Sequence, residues 1–302
     1  MKRAIITGAT GAIGTALIKE LVDKGVEILV FTREHSKRNQ NIPVHPLVQI
    51  KFCALEDLEK IRNDMGKDYE VFYHLAWSGA SGSGRDDMYR QNLNVKYALD
   101  AVGAAKRFGC STFIGIGSQA EYGRTKSPLT PETPVFPEMG YGYAKLCAGQ
   151  MTREYALQLG LRHMWVRVLS IYGPNDGEGS MVMSAINQFR HGIIPEFTKG
   201  EQVWDYLYSG DAASALYMLA EKGRNAKIYV LGSGKARRLK EYIEEIRDIV
   251  APEMELKFGA VPYNERQVMY LCADSTELKK DLGWEAKKDF RKGIYVILDS
   301  IT

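Results

Sequence analysis

The opening fourteen residues restrict this chain more than any other stretch. Apolar Ala4, Ile5 and Ile6 make a short strand that runs through Thr7 straight into Gly8, Gly11 and Gly14. Glycine lets a backbone turn sharply and come close to a bound group. The amphipathic run from Thr15 to Lys24 then reads as a helix. Its N-terminus presents unpaired N–H groups and the positive end of the dipole to an anion. Strand, glycine loop and helix in this order form a cradle for a dinucleotide pyrophosphate, with Thr7, Gly8, Gly11, Ala12, Ile13 and Gly14 as its contacts. The spacing is GxxGxxG rather than GxGxxG.

Strand-like runs then alternate with helical patterns. Strands are readable at 4–7, 27–32, 50–53, 71–75, 112–115 and 163–168, and amphipathic stretches at 15–24, 55–65 and 92–108. Such alternation predicts an α/β fold, a Rossmann doubly wound parallel sheet with helices on both faces. The turn-rich segment Gly173–Gly179 marks an exit from the sheet. Residues 1–172 are read as the dinucleotide-binding domain, with segments near 205–232 returning to it. Residues 173–302 form mainly a smaller, partly interleaved substrate lobe, with helices at 181–191, 210–222 and 239–250 and strands at 228–231 and 255–258.

Bulk properties narrow the function classes. A net charge of +3 over 302 residues gives no argument for nucleic acid. No apolar run approaches the roughly 20 residues that span a bilayer, so no membrane partner is expected. The four cysteines and five histidines are dispersed without metal-ligand spacing, so no metal is expected and idle thiols fit a reducing cytoplasm. In a sheet of this kind, the residues ending the second strand meet the adenosine ribose. An acid there selects NAD and a cation selects NADP. Here Thr32 and Arg33 stand at that point, with Lys37 and Arg38 nearby, so NADP(H) is preferred. NAD(H) stays open, because Glu34 beside Arg33 offers a carboxylate to the ribose.

The chemistry gathers around Ser118, just past an apolar strand, and around Tyr141 and Lys145. The last two are spaced i, i+4 and share one helix face. A phenol titrates near ~10, too high for an efficient base at neutral pH, and a neighbouring ammonium stabilises the phenolate. Lys145 can also hold the nicotinamide ribose, and Ser118 can hydrogen-bond the substrate oxygen beside Tyr141. The three together suit alcohol–carbonyl interconversion. Tyr143 lies two residues before Lys145 and faces elsewhere.

With these motifs on the page, the chain resembles the extended short-chain dehydrogenase/reductase superfamily, of the NAD(P)-dependent nucleotide-sugar epimerase/dehydratase type, over nearly its full length. The resemblance implies that Leu75 and Ala76, in His74-Leu-Ala76, line the cofactor, that Leu55 reaches the adenine, and that Asn94 steadies the active site. Arg167–Pro174 resembles the family's entry to the substrate lobe. Gln202-Val-Trp-Asp205, Tyr208–Asp211 and Leu282-Gly-Trp284 resemble its later motifs. The departures matter as much. Ala54 stands where the family often has an aspartate before the leucine, Ser170 replaces the asparagine that meets the substrate diphosphate, and Trp204 replaces the arginine of the QxRD segment. The cation lost at Trp204 must come from elsewhere, with Arg266 and Lys199 as candidates; otherwise the substrate is not a nucleotide sugar. Ser118, Gln119, Ser170, Trp204 and Arg266 make up the expected substrate contacts.

The family's 4,6-dehydratases carry an Asp-Glu pair after the catalytic hydroxyl residue, where this chain has Gln119 and Ala120. Glu121, one residue on, is expected to face the other way on an extended segment. A softer resemblance, around 262–269, is to bacterial 4-keto-6-deoxyhexose reductases. The reading is therefore an NADPH-dependent reductase of a nucleotide-linked keto-deoxysugar, with an NAD(P)-dependent 4-epimerase and a catalytically silent NADP-sensing protein as alternatives. Helices 92–108 and 141–159 resemble the pair that builds a homodimer in this superfamily, although one subunit could bury their apolar faces equally well.

Overall fold

The computed structural model describes residues 1–301. Its first half runs β1 (Arg3–Thr7), α1 (Ala12–Asp23), β2 (Glu27–Thr32), β3 (Val48–Phe52), β4 (Val71–His74), α2 (Met88–Arg107), β5 (Thr112–Ser118), α3 (Gly140–Gln158) and β6 (Arg162–Val168). There follow β7 (Ser170–Tyr172), α4 (Met181–Arg190), β8 (Glu196–Phe197), β9 (Val203–Trp204), β10 (Tyr206–Tyr208), α5 (Ser209–Lys222) and β11 (Lys227–Leu231). The chain closes with β12 (Arg237–Arg238), α6 (Leu239–Val250), β13 (Lys257–Phe258), α7 (Thr276–Leu282) and α8 (Phe290–Ser300).

Seven strands form one parallel sheet in the order β3-β2-β1-β4-β5-β6-β11. The order reverses between β1 and β4, so a crevice opens beyond their carboxyl ends. The inner strands β1, β2, β4 and β5 are largely buried because both faces are covered, whereas edge strand β3 carries Gln49 and Lys51 and is partly exposed. On one face Ile6, Val30 and Ile114 pack with Leu17, Leu21, Leu216 and Leu219 of α1 and α5. On the other, Ile5, Leu29, Phe72 and Phe113 pack with Val102, Phe108 and Ala156 of α2 and α3. Each such large side chain contributes about 1.5–3 kcal/mol on burial. A separate core joins α4, α6 and α8, where Phe290 lies 4.7 Å from the Tyr242 ring and 4.8 Å from that of Tyr172.

One expected helix is absent. Residues 55–65 have apolar spacing suited to a helix, yet only Leu55–Asp57 form a 3-10 turn. Leu58 and Ile61 are buried, but Arg107 donates to both their carbonyls, Nη2 to Leu58 O at 2.5 Å and Nε to Ile61 O at 3.0 Å. Acceptors that would extend a helix are thus taken by a side chain from α2. β5 is also longer than its apolar core, and Ser118 is its last residue rather than one beyond it.

Candidate active site

The glycine loop lies at the switch point of the sheet. Gly8 has φ +74, and a Cβ there would sit 2.5 Å from Ala76 N on the loop after β4. A Cβ on Gly14 would meet Gly8 O at 2.3 Å, so this glycine lets α1 close onto the strand. Gly11 faces open space and is the N-cap of α1, with no side-chain cap and no acid in the first turn. That leaves an uncapped helix N-terminus directly after Gly8 and Thr10, which line a cleft of about 710 Å³; residues 11–14 themselves do not line it. Thr7, Leu55, Ala76 and Trp77 line the same cleft. Ala12 and Gly14 are buried, and Ile13 and Leu75 pack toward the sheet core. At the adenosine end Thr32, Arg33, Ser36 and Arg38 line the cleft. Thr32 donates to Asn39 Oδ1 at 2.7 Å, and Asn39 in turn holds the Arg33 carbonyl, so Thr32 shapes the turn that carries the cations. Glu34 lies outside this cleft, in an adjoining hollow beside His35.

Ser118 ends β5 and caps the 3-10 turn Gln119–Glu121, its Oγ accepting from Ala120 N at 3.1 Å. Gln119 is half-buried at the start of that turn. Glu121 departs from expectation in its geometry. The turn, not an extended strand, directs it inward, where it is fully buried. It accepts from Ser118 N (2.8 Å), Trp165 Nε1 (3.0 Å) and Arg167 Nε (2.7 Å). No lone carboxylate therefore faces the cleft from this turn. The glycines of Gly115-Ile-Gly117 make the arrangement possible, since a Cβ on either would run into the Trp165 ring.

Tyr141 stands in the first turn of α3 and Lys145 one turn on. Burial raises the Tyr141 pKa, and the hydrogen bond from Ser118 and the charge of Arg85 pull it back down. Lys145 is 3% exposed. Its Nζ donates to Ile116 O at 2.6 Å and lies 3.7 Å from the Trp77 ring centroid. Burial lowers its pKa from 10.5 to about 7, against a smaller opposing effect of Glu121. Tyr143 points outward and is 53% exposed.

The depressed Lys145 pKa has a stability consequence. Between pH 7 and 10.5 the unfolded chain binds a proton that the folded chain has released, so this group makes stability rise with pH across that window. Lys145→Met removes the buried charge. The cofactor-free variant is expected to be more stable than the parent by roughly 1–4 kcal/mol below pH 7. The gap should shrink toward pH 10. Urea unfolding at pH 6 and pH 9 checks this, and a gap that widens with pH refutes it.

On the substrate side, the two departures from the family pattern meet each other. Trp204 Nε1 donates to Ser170 Oγ at 2.7 Å. The indole is thereby fixed on β9, at the edge of the second core. Asp205 beside it is fully buried and accepts from the backbone N–H groups of Ser233, Gly234 and Ala273, so this motif residue organises loops. Arg266 is exposed and 3.7 Å from Asp86, and it does not line the cleft. Asn94 exchanges hydrogen bonds with the Ser78 backbone and steadies the loop after β4. Sequence reasoning passed over Trp77, Arg85, Ser36 and Trp165, and named Glu121 and Arg167 without foreseeing that they pair. Of these, only Trp77 carried a signal, as the residue following His74-Leu-Ala76.

The NAD dependent epimerase/dehydratase family profile matches residues 4–232. The chain belongs to that family. CDP-abequose synthase of Salmonella typhimurium is 22% identical, over 97% of this chain and 96% of that protein. A putative UDP-glucose 4-epimerase of Methanocaldococcus jannaschii is 23% identical over 96% and 95%. Among solved structures, UDP-glucose 4-epimerase of Thermotoga maritima, determined with UDP-glucose, superposes with a TM-score of 0.88 at 24% identity, covering 99% of this chain and 98% of that one. RMD from Pseudomonas aeruginosa, determined with NADPH, gives 0.82 at 21% identity, covering 99% and 98%. These superpositions establish the fold. The family is one of NAD(P)-dependent enzymes of the extended short-chain dehydrogenase/reductase type, and the cleft between the glycine loop and Arg33 fits such a cofactor.

Proposed function

We propose that this chain is an NADPH-dependent reductase of a nucleotide-linked keto-deoxysugar, of the 4-keto-6-deoxyhexose type. The observation that carries the reading is the adenosine end of the cleft, where Arg33, Ser36 and Arg38 form the wall and Glu34 stays outside it. A 2′-phosphate finds cations and a hydroxyl there. A nicotinamide cofactor held by the glycine loop and Arg33 would supply a hydride to the sugar carbonyl carbon. Tyr141 Oη then gives a proton to the developing alkoxide, Ser118 holds that oxygen, and Lys145 holds the phenol and the ribose. Glu121 is tied to Arg167 and unavailable for water elimination, which argues against a dehydratase. Likeness to CDP-abequose synthase supports the substrate class. Trp204, held edge-on by Ser170, offers an apolar surface to a nucleotide base. Arg266, once released from Asp86, offers a cation to the diphosphate. A 4-epimerase is the second reading, favoured by the putative UDP-glucose 4-epimerase relative of Methanocaldococcus jannaschii. By resemblance to the superfamily, we also propose a homodimer joined through α2 and α3.

Incubation with NADPH and CDP- or dTDP-4-keto-6-deoxyglucose, followed at the nicotinamide absorbance, tests the reading. Stoichiometric oxidation with a reduced sugar product supports it. An epimerised sugar without net cofactor change transfers the case to the epimerase, and binding without turnover to a sensor. A charge-assisted contact to the 2′-phosphate contributes about 1.5–3 kcal/mol. Arg33→Asp is therefore expected to weaken NADPH binding roughly tenfold to a hundredfold and to reverse the preference toward NADH. Fluorescence titration of both cofactors measures this, and an unchanged preference would clear Arg33 of the role.

A further inference from the structure

We infer that Arg85 is a positioning residue for Tyr141: its guanidinium, held over the phenol ring by a pinned loop, stabilises the phenolate and makes Tyr141 a stronger proton donor. The inference deepens the proposed reductase chemistry and rests on Tyr141 as its acid.

Arg85 ends the short 3-10 turn Gly82–Arg85, between β4 and α2. Its Cζ lies 4.6 Å from the Tyr141 ring centroid. The loop is not left to chance. Gln91, buried on α2, donates from Nε2 to Gly79 O (2.9 Å) and Gly84 O (2.8 Å) and accepts from Trp77 Nε1 (2.8 Å). Asn94, one turn on, holds both backbone groups of Ser78. The Arg85 carbonyl packs on the start of α3 so closely that a Cβ on Gly140 would stand 3.1 Å from it. Two buried amides and one glycine thus fix the loop backbone that carries Arg85 against the helix turn that carries Tyr141.

What the guanidinium lacks is equally telling. Among the described residues no carboxylate pairs with Arg85, and its Nε is buried without a hydrogen-bond partner. An unpaired buried donor costs stability rather than adding to it. The other charges near the phenol are accounted for. Asp86 faces Arg266, and Asp87 caps α2 and pairs with Arg90. Glu121, from the turn after β5, pairs with Arg167. Lys145, on the phenol's own helix, has its Nζ on Ile116 O. Arg85 is thus the nearer of two cations beside the Tyr141 ring that have no carboxylate partner among the described residues, at 4.6 Å against 5.8 Å for Lys145 Nζ, and Lys145 is held on the Ile116 carbonyl. An opposite charge within about 4–6 Å lowers the pKa of an acid by roughly one to three units. A stronger acid is what proton delivery to an alkoxide calls for.

Ultraviolet difference titration decides the matter without a substrate. Subtracting the curve of Tyr141→Phe from that of the parent isolates the Tyr141 phenolate. In Arg85→Gln its midpoint is expected to rise by about one unit or more, a tenfold or greater loss of phenolate at a given pH. Arg85→Lys should recover most of the shift, while Arg85→Met, which keeps the stem's packing, should behave as Gln does. With a keto-sugar substrate the alkaline limb of kcat should move up by the same amount in Arg85→Gln and its plateau should fall, with NADPH affinity unchanged. An unmoved phenolate midpoint, or equal shifts in the Lys and Gln variants, overturns the inference. If the parent reduces no ketone, the proposed activity falls while the titration still decides on Arg85.

Discussion

Tyr141→Phe is expected to lower kcat by about 10²–10⁴-fold while leaving cofactor binding intact, because only the proton donor is lost. The ring keeps its place between Trp77, at 6.2 Å between centroids, and Arg85. Tyr143→Phe should be nearly silent, since that hydroxyl belongs to an exposed side chain. Steady-state kinetics on both variants, with cofactor affinity measured separately, gives the answer. Equal behaviour of the two would mean that the reacting hydroxyl had been placed on the wrong helix face.

Glu121→Gln is expected to cost about 3–5 kcal/mol of folding stability, because it leaves Arg167 buried without its counter-charge. The loss should exceed that from any single surface pair, where 0–1 kcal/mol is usual. Turnover should fall too, since Glu121 Oε1 holds the Ser118 N–H and so the position of the Ser118 hydroxyl. Denaturant unfolding of the single variants and of Glu121→Gln/Arg167→Met, in which the amide oxygen still accepts from Ser118 N and Trp165 Nε1, separates the effects. The double variant should regain much of the stability, an outcome a merely local distortion would not produce. A Gln variant as stable as the parent would show that the pair is dispensable to the fold.

The sheet was legible because its signal is local. Alternating apolar strands and amphipathic helices set the order of elements, and Gly8 and Gly14, read as glycines for a bound pyrophosphate, prove also to be where the Ala76 and Gly8 backbones come too close for a Cβ. The i, i+4 spacing of Tyr141 and Lys145 was equally local. What escaped was set by contacts distant in sequence. Arg107 overrides the helical pattern at 55–65 from 46 and 49 residues away. Arg167 fixes Glu121 from 46 residues away, which no spacing rule around Ser118 could reveal. Arg85 lay in a stretch with neither period nor motif, and only the folded loop brings it over the phenol.

Arg38 gives the two walls of the cleft a shared fastener. Its Nη2 donates at once to Thr10 O in the glycine loop, at 3.1 Å, and to Asn175 O at the passage into the second lobe, at 2.6 Å. Asn175 is held in a left-handed conformation with φ 63, and its side chain reaches Thr15 on α1 at 3.4 Å. A ligand phosphate that draws this guanidinium toward itself competes for the same donor. The 2′-phosphate of the proposed cofactor would thus be tied, through one guanidinium, to the contact between the glycine loop and the segment that follows β7.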